Sequence, residues 1–201
     1  MDGTLIDSSA NVERAYRWWA RERNLPIDPI LAVERGRPHR EVMAQFTSGL
    51  DLHQESKLFT DFETNDEEGM PLVPGAAEAV RIAQQGHWAV VTSAKRTLAE
   101  MRFRVTGLPL PEALITSDVI QHGKPNPECY LLAAKALKIP TSECVVFEDA
   151  PAGVEAAHRA GMPVIGVNTA GDLTGTDVLI HSFFDLDLHH DSDGWFSIRQ
   201  K

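Results

Sequence analysis

The sequence predicts an α/β protein: a parallel sheet covered by helices, interrupted near its beginning by an all-helical insert. Two observations carry this reading. From about residue 8 to residue 70 the apolar residues recur at helical spacing, and beyond Pro71 short apolar runs alternate with helical stretches. Near-continuous apolar runs separated by helices mark strands buried on both faces, which is the habit of parallel sheets. Size agrees: 201 residues, 43% of them hydrophobic, suffice for one core plus a small extra unit.

The elements follow in order. At Ser8 or Ser9 a hydroxyl cap leads into Val12, Tyr16 and Trp19, one face of a helix that ends near Asn24, before Pro26. Trp18 and Trp19 cannot share that face, so one of them packs inside and neither is assigned to substrate. Asp28-Pro29 reads as a cap followed by proline at the first helical position, opening a short helix to about Glu34 that Gly36-Arg37-Pro38 breaks. Helices are expected at about 39–46 and 52–67, the second ending at Gly69. Pro74-Gly75 opens a helix through Gln85. The apolar runs are 88–91, 113–115, 144–147 and 164–167, with helices between them at about 96–106, 127–137 and 151–160. Residues 178–181 read as one more strand, and Asp193-Gly194 as the turn of a closing hairpin within 189–198. The expected division is residues 1–7 and 71–201 as the α/β core, with 8–70 as the helical insert.

Composition excludes several classes of function. The net charge is -10 with no dense Lys/Arg block, which argues against nucleic acid or an anionic membrane as partner. No run of about eighteen apolar residues and no basic start leading into an apolar stretch occur, so no membrane span or signal peptide is expected, and the cytoplasm is the expected location. Cys129 and Cys144 fall in no CxxC pair or metal spacing and read as reduced core thiols. A monomer acting on a small molecule is expected. The negative field repels phosphorylated substrates, so such a substrate needs local positive charge from a metal or a placed lysine.

Ligands of such sheets bind at the carboxyl ends of the strands, so the residues that end each run are the candidates. They are Asp2-Gly3-Thr4, Thr92-Ser93, Lys124 within Gly123-Lys124-Pro125-Asn126-Pro127, and Glu148-Asp149. Each alone has a plainer explanation. Asp-Gly-Thr is a common turn, Thr92-Ser93 fits a helix cap, and a lone lysine is most often solvated. The acidic pair is more specific, because adjacent carboxylates after a buried strand repel each other unless a cation lies between them. Together, a hydroxyl, a lysine and an acidic pair at the ends of one sheet supply what phosphoryl transfer needs. Those needs are a hard cation held by carboxylates, a fixed positive charge, and neutral donors for phosphate oxygens.

These motifs, ending in Glu148-Asp149-Ala150-Pro151-Ala152-Gly153, stand in the order found in haloacid dehalogenase-like (HAD) phosphatases. The chain resembles that superfamily over nearly its whole length, specifically the subgroup with a helical cap inserted after the first strand, and within it the bacterial sugar-phosphate phosphatases. The resemblance implies a Rossmann-like parallel-sheet core with an inserted α-helical cap domain, Mg2+ as cofactor and a small phosphoester as substrate. It implies that Asp2 is the general acid and then the base, with its backbone carbonyl on magnesium. Thr92 and the backbone N–H of Ser93 would hold phosphate oxygens, and Lys124 would neutralise the phosphate and position the nucleophile. Asp149 would ligate magnesium, with Glu148 doing so directly or through water. The cap would close over substrate. Residues 36–40 fall in the family's specificity loop, so Arg37, His39 and Arg40 are candidates for a sugar hydroxyl or second anion, with surface arginines at a helix start as the competing reading. Glu63 is a further candidate whose default reading is a solvated charge.

One family feature falls outside these residues. The nucleophilic aspartate belongs two positions before Asp2, with Met1 as spacer, preceded by an apolar strand. Asp7 lies on the wrong side of the turn to replace it, because attack needs a carboxylate in line with phosphorus. A strand of about five residues, each apolar one worth roughly 1.5–3 kcal/mol on burial, amounts to roughly 5–15 kcal/mol, comparable to a domain's stability. The expectation is therefore a native start upstream of Met1, with residues 1–201 alone truncated in the first core strand and inactive. Two alternatives stand beside the phosphatase: a phosphosugar mutase of the same fold, and a non-catalytic phosphate-binding homologue. A dehalogenase is disfavoured because its chemistry does not need the Glu148-Asp149 pair.

Overall fold

The computed structural model describes residues 1–34, 37–111, 113–167, 173–191 and 195–201. Gly36 of the expected break, and the expected Asp193-Gly194 turn, lie outside the described residues. The chain divides into two compact units, residues 1–7 with 71–201, and residues 8–70.

The second unit is helical: α1 (Ser9–Glu22), α2 (Ile27–Leu31), α3 (His39–Phe46) and α4 (Leu52–Asn65). Tyr16, Trp19 and Ala20 form the buried face of α1, and Tyr16 meets Phe59 of α4 with ring centroids 4.7 Å apart. Trp19 is fully buried and its indole N–H donates to Glu55 Oε2 at 2.7 Å, an oxygen that Arg23 also reaches at 2.6 Å. Trp18 lies on the next face, stacked on Phe62 at 5.0 Å, so the two indoles diverge as the helical turn requires. Asp51 caps α4 by accepting the N–H groups of His53 and Gln54 at 2.9 and 3.3 Å. The α2 helix departs from expectation: it begins at Ile27, after Pro26, and stops at Leu31 rather than Glu34. Pro29 falls in its first turn, where no intrahelical N–H bond is lost, and fully buried Ile30 fixes its register.

The first unit resumes with α5 (Ala76–Ala83), β1 (Ala89–Val91), α6 (Arg96–Thr106), β2 (Ala113–Ile115) and α7 (Glu128–Leu137). It continues through β3 (Val146–Glu148), α8 (Pro151–Arg159), β4 (Val164–Val167) and β5 (Val178–Ile180), and closes with the hairpin β6 (Leu186–His190) and β7 (Phe196–Gln200). The β1 and β2 strands pair in parallel, β4 lies in parallel between β3 and β5, and β6 pairs antiparallel with β7. Every residue of β4 is buried, as a strand covered on both faces must be. Val146 and Val164 pack with Val154, Ala156 and Ala157 of α8, whereas Ile165, Val167 and Ile180 pack with Ala76 and Ala79 of α5. The β3 strand is shorter than the run 144–147 suggests. Its register starts at Val146↔Val164, and the Val146 N–H donates to Pro163 O at 2.9 Å. Residues 144 and 145 therefore fall outside the ladder, and Val145 is 37% exposed.

Residues 1–7 form a tight loop fastened to the start of the second segment. The N–H groups of Leu5 and Ile6 donate to Met1 O at 2.7 and 3.1 Å, and the N–H of Gly3 to Ile6 O at 2.8 Å. The Asp7 N–H meets Pro71 O at 2.8 Å, and the Val73 N–H meets Leu5 O at 2.9 Å. Among the described residues, β1 and β3 each have a single strand partner, and both line an apolar cavity of about 300 Å³ whose wall includes Met1, Leu5, Val90 and Val146. No described helix is long and apolar enough to cross a membrane.

Candidate active site

The loop after Met1 meets the end of β3. Gly3 adopts φ +67°, and a Cβ there would stand 1.9 Å from Asp149 Oδ2, so glycine is required both by conformation and by the closeness of the carboxylate. Buried Thr4 donates its hydroxyl to the other oxygen, Asp149 Oδ1, at 2.9 Å.

Glu148, one residue earlier, is only 4% exposed. Lys124 pairs with its Oε1, which also accepts the Tyr130 hydroxyl at 2.7 Å. Its Oε2 accepts the backbone N–H groups of Asp149 and Ala150 at 2.9 and 3.0 Å. Gly153 of α8 is packed against this side chain, with room for no Cβ: one would lie 2.0 Å from Glu148 Cδ. Burial pushes the Glu148 carboxyl up. The Lys124 charge and hydrogen bond and the Tyr130 hydroxyl outweigh it and hold the carboxyl at about 2. Asp149 goes the other way. Burial and the Glu148 charge push it up to about 6, against the Thr4 hydrogen bond and the Lys124 charge. Burial, and then the neighbouring Glu148, push the Tyr130 phenol strongly upward.

Asp2 and Thr92 close the group. The Thr92 N–H donates to Ile115 O at 2.9 Å, which carries the β1–β2 pairing one residue further and leaves Thr92 at the strand end. Its Oγ1 accepts the Ala94 N–H at 3.1 Å and lies 3.5 Å from Asp2 Oδ2. Because α6 starts at Arg96 with Lys95 before it, Thr92-Ser93 shape a turn and do not cap that helix. Ser93 is exposed beside it. The Asp2 carboxylate is paired through Oδ1 with Arg102 Nη1 at 2.8 Å. The structure thus links Asp2 to Thr92, the Asp2–Thr4 loop to Asp149, and Glu148 to Lys124, in one chain of contacts at the strand ends.

The remaining candidates lie in the helical unit. Arg37 is exposed, 3.9 Å from Glu41 Oε2, and Arg40 is exposed. His39 is engaged within its own unit, with Nε2 2.7 Å from Ser56 Oγ and its ring 5.0 Å from that of Phe59. Glu63 is 5% exposed, which corrects its reading as a solvated charge: it sits on the α4 face turned toward the unit's core. Burial raises the Tyr16 phenol, Glu34 and Glu63 add to the rise, and Arg37 opposes it.

The family model for haloacid dehalogenase-like hydrolases matches residues 1–161. The chain belongs to the haloacid dehalogenase-like hydrolases. This hydrolase is similar to hexitol phosphatase A of Escherichia coli K12, at 36% identity over 96% of this chain and 94% of that protein. It is also similar to the validoxylamine A 7'-phosphate phosphatase of Streptomyces hygroscopicus subsp. limoneus, at 35% identity over 94% of each chain. Its fold matches the structure of CbbY from Rhodobacter sphaeroides solved with phosphate, with a TM-score of 0.78 over 91% of this chain and 92% of that one, at 22% identity.

Two residues of the hydrolase site were not among the sequence candidates, Tyr130 and Arg102, and Thr4 stood there within the Asp2-Gly3-Thr4 turn without a role of its own. Tyr130 and Arg102 carried a signal, since each lies on the apolar stripe of its helix, four residues before Ala134 and four after Leu98. Among the described residues, no three His, Cys, Asp or Glu side chains group as a metal cage. Magnesium does not require one, because it keeps several waters and takes one or two carboxylates together with substrate phosphate. Asp149 fits that pattern: it is a carboxylate whose charge the fold leaves poorly compensated. Both Glu148 oxygens are already engaged by four donors.

Proposed function

We propose that this hydrolase is a magnesium-dependent phosphatase acting on a small sugar or polyol phosphate through an aspartyl-phosphate intermediate. The observation that carries the reading is the linked group Asp2–Thr92 and Thr4–Asp149–Glu148–Lys124 at the strand ends. The phosphatases similar to it over almost their whole length support the substrate class. In this reading Asp149 and the Asp2 backbone carbonyl hold magnesium, and Glu148 steadies the site by fixing Lys124. Magnesium, when bound, supplies positive charge for the phosphate oxygens. Lys124 adds a fixed cation, and the Thr92 hydroxyl and Ser93 N–H donate to phosphate oxygens. Asp2 protonates the departing alcohol oxygen, then takes a proton from the water that releases phosphate. Following the family resemblance, the attacking carboxylate is an aspartate two positions before Asp2, and residues 1–201 alone do not turn over. The apolar cavity between β1 and β3 has the character needed to receive an extended apolar segment leading into it. We further propose that residues 8–70 act as the cap, with Arg37, His39, Arg40 or Glu63 contributing to substrate choice.

The test is a phosphate-release screen over hexitol, hexose and glycerol phosphates, comparing residues 1–201 with a chain extended upstream through that aspartate. Turnover by the extended chain alone is expected, with one phosphate released per substrate consumed. Isomerised phosphosugar without phosphate release would make the protein a mutase. Turnover by residues 1–201 would remove the upstream aspartate from the mechanism. In the extended chain, Lys124→Ala and Asp149→Ala are each expected to lower kcat by at least about 10²-fold. Full activity in either variant would overturn the assigned roles.

A further inference from the structure

Arg102 is 3% exposed, on the inward face of α6 among Leu98, Met101 and Phe103. A guanidinium stays charged in any protein setting, so burying one requires a counter-charge held close. Asp2 is one such counter-charge, its Oδ1 2.8 Å from Nη1 in a charge contact that makes no aligned hydrogen bond, and Arg102 has a further partner besides. The two oxygens of Asp2 are therefore unlike. Oδ1 is sealed from solvent against the arginine, while Oδ2 lies on the Thr92 side of a side chain that is 30% exposed. A carboxylate that transfers a proton must present one chosen oxygen, and a loop side chain held by nothing behind it rotates away from that pose.

We propose that Arg102 is a positioning residue for Asp2: by gripping Oδ1 it commits Oδ2 to proton transfer. The inference rests on the reading of Asp2 as general acid and base. When the bond between phosphorus and the leaving oxygen breaks, its electron pair stays with the departing oxygen, and that oxygen takes the proton carried by Asp2 Oδ2. Arg102 touches neither substrate nor the reacting atoms. It acts through the orientation of Asp2, so its effect scales with how much the leaving group needs a proton. An alkyl sugar phosphate needs one badly. An aryl phosphate such as p-nitrophenyl phosphate leaves as a stabilised anion and hardly does.

The experiment compares Arg102→Met with the parent extended chain on a hexitol phosphate and on p-nitrophenyl phosphate, after thermal unfolding shows that the variant folds. The expected result is a fall in kcat of about ten- to a hundredfold on the hexitol phosphate with little change in KM, and a loss at least about tenfold smaller on the aryl ester. Arg102→Lys, which keeps the charge and loses the planar fork, is expected to recover part of the hexitol phosphate rate. In an Asp2→Asn background the arginine substitution is expected to add no further leaving-group selectivity. Equal losses on both esters, or a selective loss that persists without Asp2, would overturn the proposal. If Arg102→Met does not fold, the selectivity of Arg102→Lys decides by the same criterion. A parent chain that hydrolyses neither ester instead refutes the phosphatase reading, so the two failures are separable.

Discussion

Glu148 and Asp149 follow one another at the end of β3, and burial acts on both, yet their partners send them in opposite directions. Glu148 lies below its ordinary value, so its stabilising contribution is present above about 4.5 and is lost as pH falls through about 2. Asp149 lies above its ordinary value of 3.8, so the stability tied to its neutral form is present below that value and is lost as pH rises through about 6. Without a divalent ion, stability is therefore expected to decline between about pH 4 and pH 6, by on the order of 1–3 kcal/mol, the lower end allowing for solvent at this half-buried group. Magnesium is expected to raise the melting temperature at pH 7.5, whereas Asp149→Asn should flatten the pH dependence and abolish the magnesium shift. A magnesium shift that survives in the variant would take Asp149 out of the metal site. The carboxylates and Thr92 stood out in the sequence because they follow directly on apolar runs, and Lys124 because it lies in the 123–127 loop after the 113–115 run. Arg102 and Tyr130 did not, because a charged or phenolic side chain on an apolar helical stripe does not say which loop residue it will meet.

At the scale of elements, α8 illustrates how local propensity and packing compete. Gly153 lies inside a helix, where alanine would be favoured by about 1 kcal/mol. Its missing Cβ is the space that Glu148 occupies, at 2.0 Å. Displacing a carboxylate held by four donors costs more than the helix gains, so Gly153→Ala is expected to destabilise by about 1–3 kcal/mol net. Chemical unfolding measures this, and a stabilised variant would mean that Glu148 relocates freely. The α3 and α6 helices stand where their spacing places them, at His39–Phe46 and Arg96–Thr106, because apolar periodicity is a local property. The start of β3 was not legible. Cys144 and Val145 are as apolar as the strand they precede, and only the register against β4, set across Pro163, excludes them. The α2 helix misled for a related reason, since Asp28-Pro29 suits a helix start equally well two residues later than the observed one.

Over the whole molecule, the two units have separate interiors. Tyr16, Trp19, Ile30 and Phe59 fill one, and the valines and alanines around β3, β4 and α8 fill another. Phe59 is 1% exposed, so Phe59→Ala is expected to cost the helical unit about 3–5 kcal/mol. The expected outcome is an early unfolding step seen in hydrogen exchange of α1 and α4, with protection of β4 retained. Simultaneous loss of protection in both units would show that they unfold as one. The change of pattern at Pro71 made this division readable from residue order alone, because helical spacing gives way there to short strand-length runs.

The chain leaves the α/β unit at Asp7 and returns at Pro71, and those two residues share a hydrogen bond, flanked by the Ile6–Leu72 bridge and the Val73–Leu5 contact. The whole of residues 8–70 is thus spliced in through a doorway one peptide wide, whose frame is complete without it. A module with neighbouring termini can be grafted at that doorway, so selection is free to exchange what enters there while the threonine, lysine and carboxylates of the α/β unit stay where they are.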